Sequence, residues 1–185
     1  METGPARTPL VLVLAGAGYG QQAPLLRWSA TIARESGCAV LAPDWTVDDA
    51  ARADPVGFVT QHVATALGDR LPDLVVAKSF GCSALPWAVA HEVPGVWLTP
   101  VLTDDTVRDA LATVSDGHVA VGGSADPVWR PDCVPHTGAR LVTVDGADHA
   151  LEVPGDWRRS QRLQVEVLSV VEEQVAALVR PGGRR

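Results

Sequence analysis

The chain has 185 residues, 46% of them hydrophobic, which is the length of one domain and enough apolar content to bury a sizeable core. Its 15 Lys and Arg against 22 Asp and Glu leave a net charge of −7, and the basic residues are scattered apart from a terminal Gly-Gly-Arg-Arg, which argues against a nucleic-acid partner. No run approaches the roughly 18 apolar residues of a membrane span, and Cys38, Cys82 and Cys133 lack metal-ligand spacing, which fits reduced packing residues in a cytoplasmic protein better than a disulfide framework.

In chain order, residues 1 to 7 read as a short flexible tail. The apolar run 10 to 14 ends in Ala15-Gly16-Ala17 and resembles a secretory leader with a small-residue cleavage site, but it reads better as a strand that the later pattern requires. Further runs at 39 to 42, 74 to 77, 95 to 98, 118 to 122 and 140 to 144 are continuous rather than alternating, as expected of parallel strands buried on both faces. Helical spacing lies between most of them. Leu25, Trp28 and Ile32 are closed by Gly37; Val56, Val59, Val63 and Leu67 follow Asp54-Pro55; Val107, Leu111 and Val114 follow Asp104. A last helix, about 157 to 179, stops at Pro181-Gly182-Gly183, and 181 to 185 reads as a second tail. This alternation predicts a single α/β domain over 1–185, with a doubly wound, mostly parallel six-stranded sheet flanked by helices. Its ligands should bind outside the carboxyl ends of the strands.

Those ends carry the chemistry. Gly16-Ala17-Gly18-Tyr19-Gly20 follows the first strand, and Ala77-Lys78-Ser79-Phe80-Gly81 places Ser79 on a sharp strand-to-helix turn after the third. Gly123-Ser124-Ala125-Asp126 follows the fifth strand, and Asp145-Gly146-Ala147-Asp148-His149 the sixth. A serine needs a base at neutral pH, which His149 can supply, and the imidazole needs a carboxylate to fix its tautomer, which Asp126 is placed to provide. The N–H groups of Phe80 and Ala17 are the candidate oxyanion donors. Gly18 allows close backbone approach to substrate, and Tyr19 and Trp129 are candidates for an apolar wall.

These loops carry a family resemblance. "LVLAGAGYG" resembles the oxyanion loop of the α/β-hydrolases, "GSADPVW" the loop that bears their acid and "DGADHAL" the loop that bears their histidine. The Lys-Ser elbow resembles a small lidless subgroup. The resemblance implies a Ser79, Asp126, His149 triad on a minimal sheet that lacks the family's first two antiparallel strands. Only 15 residues separate Leu102 from His118, which leaves room for one helix and no cap domain. Ala77 stands in place of the commoner first elbow glycine, and Ala15-Gly16 stands where many members have His-Gly.

Other assignments compete. Asp104 and Asp105 follow the preceding strand, where some hydrolases place their acid, although a helix cap is the simpler role for them. Asp148 is expected to stabilise a turn, Lys78 to point away from the cleft, and Cys82 to face the sheet. The Gly16-x-Gly18-x-Gly20 loop, with Asp44 near the end of the next strand, is a poor dinucleotide fingerprint. No cofactor or metal is implied, since none of the five histidines forms a metal-ligand pair. The resulting expectation is a cytoplasmic serine hydrolase of a small-molecule ester or thioester. The alternatives are an acyltransferase, lyase or cyclase on the same scaffold, or a binding protein without activity. An exposed last strand would allow a homodimer.

Overall fold

The computed structural model describes residues 7–134 and 136–180. Six strands, β1 (Leu10–Leu14), β2 (Ala39–Leu41), β3 (Leu74–Lys78), β4 (Gly95–Leu98), β5 (His118–Gly123) and β6 (Arg140–Val144), form one sheet of order β2-β1-β3-β4-β5-β6. Every pairing is parallel. The helices are α1 (Pro24–Glu35), α2 (Asp49–Ala53), α3 (Pro55–Leu67), α4 (Leu85–Ala90), α5 (Asp105–Thr113) and α6 (Trp157–Val179). A 3₁₀ segment, Ser79–Ala84, joins β3 to α4.

Strict alternation along the strands divides the core into two layers. Val11, Val13, Val76, Val96, Leu98, Val119 and Val121 face the side covered by α1 and α6. Leu12, Leu14, Val75, Ala77, Trp97 and Ala120 face the side covered by α2, α3, α4 and α5. Residues 11 to 14 and 75 to 77 are fully buried, which is why these strands read as unbroken apolar runs. Asp48, Asp54, Asp104 and Asp156 cap α2, α3, α5 and α6 by accepting backbone N–H groups that the helices cannot satisfy themselves.

The chain leaves β1 for β2 on one side and returns to β3 on the other, so the winding reverses between β1 and β3. Crevices for ligands open at such a reversal, and here it lies between the Gly16 loop and Ser79. Register places Leu14 opposite Ala77, and Lys78 opposite Leu98, so the loops that follow leave the sheet at one level.

The expected flexible tails fall mostly on 1–6 and 181–185, outside the described residues. Arg7 departs from the expectation, because its guanidinium pairs at 2.6 Å with the buried Asp73, whose other oxygen accepts the Leu10 N–H. The short α2 and the 3₁₀ segment had no counterpart in the sequence reading. Between β4 and β5 the only helix is α5, so no cap covers the carboxyl edge there. Among the described residues no helix is long and apolar enough to cross a membrane.

Candidate active site

Ser79 follows directly on β3 with φ of +50°, a left-handed conformation that costs a non-glycine residue about 1–2 kcal/mol. Gly81 makes the turn possible. A Cβ there would sit 2.7 Å from the Ala15 carbonyl oxygen and 2.8 Å from that of Leu14, so only glycine lets the turn close against β1.

The three residues picked out as a triad come together. Ser79 Oγ lies 2.7 Å from His149 Nε2, and His149 Nδ1 lies 2.7 Å from Asp126 Oδ2. The Asp126 side chain is fully buried, whereas that of His149 is 40% exposed. The second Asp126 oxygen, Oδ1, accepts the Val128 N–H at 3.0 Å, so both oxygens are engaged. The β5 and β6 loops are laced together to hold this spacing. The Ala125 N–H donates to the Ala147 carbonyl and the Gly146 N–H to Ser124 Oγ, while a Cβ on Gly123 would lie 2.0 Å from the Ala147 oxygen. Asp148 stabilises its turn by accepting the N–H groups of Ala150 and Glu152.

The candidate oxyanion donors flank the serine. The Gly16 N–H donates to the Tyr19 carbonyl, which folds 16 to 19 into a tight turn with Ala17 exposed on it. Among the described residues no acceptor takes the Ala17 N–H. Phe80, second in its 3₁₀ segment, has no helical acceptor for its own N–H. Its ring turns into the core and meets Phe58 edge-on at 5.8 Å, leaving only its backbone at the site. A cleft of about 480 Å³ lies above, with Gly16 to Tyr19 on one side, Lys78 and Ser79 at its floor and Asp148 to Ala150 on the other. A larger groove of about 640 Å³ beside Trp157 and Val165 on α6 is lined by no serine or histidine, whereas the smaller cleft is lined by both Ser79 and His149.

Several expectations are corrected. Lys78 does not point away from the cleft or reach the surface. Alternation directs it to the α1 and α6 side, but its long stem brings the ammonium up among the loops, where it is 1% exposed. It donates to Thr99 Oγ1 at 2.5 Å and to the His149 carbonyl at 2.8 Å, and it lies 5.0 Å from the Tyr19 ring centre. Burial pushes it down to about 8, against the pull of Cys82, Asp126 and Asp148. Trp129 does not line the cleft. The chain turns back through the bond from its N–H to the Asp126 carbonyl, so the ring packs over Gly122 and its Nε1 donates to Thr143 Oγ1. Cys133 is exposed rather than packed.

Tyr19 is among the residues that line the cleft, with its hydroxyl accepting the Leu25 N–H at the start of α1; burial raises its pKa, against that hydrogen bond. The competing acids lie elsewhere, with Asp104 bonded to the Thr106 and Val107 N–H groups and Asp105 paired with Arg108 on the surface. Cys82 is fully buried, its thiol pushed up to about 12 by that burial. His62 and His91 bond to carbonyls of their own helices, and His118 accepts the indole N–H of Trp97. Among the described residues no group of three or more His, Cys, Asp or Glu is placed to hold a metal ion.

No family model and no curated protein matches the sequence. Solved structures do resemble the fold. Dienelactone hydrolase from Anabaena variabilis superposes with a TM-score of 0.66 at 22% identity, over 90% of this chain and 85% of its own. Est1E from Butyrivibrio proteoclasticus, solved with ferulic acid bound, gives 0.62 at 16% identity over 94% and 92% of the two chains. XC6422 from Xanthomonas campestris, described as an α/β serine hydrolase without a lid, gives 0.55 at 17% identity over 97% and 87%. With its six parallel strands, its reversal between β1 and β3 and a single helix between β4 and β5, the chain has the α/β-hydrolase fold in a minimal form without a cap domain.

Proposed function

We propose that the protein is a serine hydrolase that cleaves a small ester or thioester through an acyl-enzyme intermediate. The observation that carries this reading is the unbroken relay from Ser79 Oγ through His149 to the buried Asp126, with 2.7 Å at each link. His149 Nε2 takes the hydroxyl proton as Ser79 attacks the acyl carbon. Asp126 holds the other ring proton on Nδ1 and stabilises the imidazolium that forms. The Ala17 and Phe80 N–H groups receive the developing oxyanion, and His149 then returns its proton to the departing alcohol or thiol. Water attacks the acyl-enzyme by the same route in reverse.

The site favours a compact substrate. A cleft of about 480 Å³ suits a short acyl or aryl group, and Gly18 and the Tyr19 ring offer it a small, mostly apolar wall. Similar structures include enzymes named as a dienelactone hydrolase and as an esterase domain, which agrees with this chemistry on this fold. The test is a panel of p-nitrophenyl esters and acyl thioesters of increasing chain length, run with wild type, Ser79→Ala and His149→Ala. The reading expects acid release from short acyl groups that both substitutions abolish. Turnover that survives in Ser79→Ala, or acyl transfer to an added amine or alcohol in preference to water, contradicts it.

A further inference from the structure

We propose that Lys78 is a positioning residue for the catalytic histidine, its ammonium tying the strand that delivers the nucleophile to the backbone of His149 and to the loop of Tyr19. The proposal rests on the reading of Ser79 and His149 given above. A lysine ammonium has three protons, and all three directions are occupied. One proton goes to Thr99 Oγ1 and one to the His149 carbonyl, while the third direction meets the Tyr19 ring at a distance suited to a cation–π contact. An ammonium so committed is neither a free base nor a hook for substrate.

The partners come from the ends of three strands. Thr99 follows β4 at φ of +48° with its N–H on the Val121 carbonyl; Tyr19 follows β1, tied to α1 through Leu25; and His149 follows β6. His149 is therefore gripped twice, at Nδ1 by Asp126 and at its carbonyl by Lys78, while its side chain stays 40% exposed. Release of the carbonyl grip lets the imidazole drift from Ser79, and a misplacement of ~1 Å in such a site costs on the order of 10²-fold in rate.

The anchor also has a pH range. The groups facing Lys78 are Tyr19 after β1, Cys82 on the 3₁₀ segment, Asp126 after β5 and Asp148 and His149 after β6. Burial raises Tyr19 above its ordinary 10.0 and Cys82 to about 12, so both stay neutral where Lys78, near 8, gives up its proton. The free amine keeps only two N–H groups and no cation–π contact, so the grip weakens as pH rises through 8.

The experiment measures the second-order rate of Ser79 modification by a fluorophosphonate from pH 6 to 10 in wild type, Lys78→Met and Thr99→Val, with circular dichroism as the check on folding. Wild type is expected to slow above pH 8. Lys78→Met should be slower on the order of 10²-fold at pH 7 and lack that alkaline decline. In ester turnover its loss should fall on kcat with KM unchanged. Thr99→Val removes one partner of the ammonium, so its decline should begin at lower pH, and it decides the matter if Lys78→Met does not fold. Labelled wild type with both variants matching it in rate and pH profile overturns the role of Lys78 alone. Wild type that is never labelled overturns the serine hydrolase reading and this role with it.

Discussion

Replacing Asp126 with Asn tests the relay without changing its shape. The carboxylate uses its two oxygens for two different donors, His149 Nδ1 at 2.7 Å and the Val128 N–H at 3.0 Å. An amide has one acceptor. With the amide oxygen kept on Val128, the NH₂ faces Nδ1 and drives the ring proton onto Nε2, which then points a donor at Ser79 and cannot accept its proton. With the oxygen on His149 instead, the NH₂ opposes the Val128 N–H in a fully buried place, a mismatch of about 1–3 kcal/mol. The inactive arrangement therefore dominates, and the minority that keeps the tautomer lacks the charge that stabilises imidazolium. A loss of ~10⁴ in kcat/KM follows, about 5 kcal/mol of transition-state stabilisation. The assay is ester hydrolysis or fluorophosphonate labelling at pH 7 beside a circular dichroism spectrum. A folded Asp126→Asn within tenfold of wild type would refute the relay.

Three further outcomes follow from the same geometry. Ser79→Gly should unfold about 0.5–1 kcal/mol later than Ser79→Ala in urea, since glycine relieves the φ of +50° at some cost in backbone entropy; equal stability would mean that the turn is unstrained. Gly81→Ala forces a Cβ to within 2.7 Å of the Ala15 carbonyl, so a loss of about 1–3 kcal/mol and slower labelling are expected, and a variant of wild-type stability and rate would contradict the close approach. Between about 8 and 10.5 the native state has lost the Lys78 proton while the unfolded chain keeps it, so stability rises with pH there, and wild type should gain about 3 kcal/mol relative to Lys78→Met across that window. A difference that does not vary with pH would show that Lys78 titrates normally.

The four central strands were legible because burial on both faces leaves unbroken runs such as Leu74-Val75-Val76 between turn residues, whereas the edge strands β2 and β6 are only partly buried, against the expectation for 39 to 42 and 140 to 144; the structure moves the strand ends by a residue at most. The three triad candidates were legible because parallel strands deliver their following loops to one edge whatever the sequence separation. Lys78 was misread because alternation fixes where a side chain leaves the backbone but not where a four-carbon stem ends. Its ammonium is placed by Thr99 and His149, 21 and 71 residues away. Trp129 was misread for a related reason, since nearness to Asp126 in sequence says nothing of the reverse turn that lays its ring over Gly122. The Arg7 pair with Asp73 spans 66 residues and left no local pattern to read.

The central claim is that Ser79 is an activated nucleophile, and intact-mass analysis with peptide mapping after fluorophosphonate exposure tests it most directly. The account predicts one phosphonyl group per chain, located on the peptide bearing Ser79, absent from folded Ser79→Ala and slow to form in His149→Ala. Folded wild type that acquires no adduct, or an adduct that persists in Ser79→Ala, would contradict it.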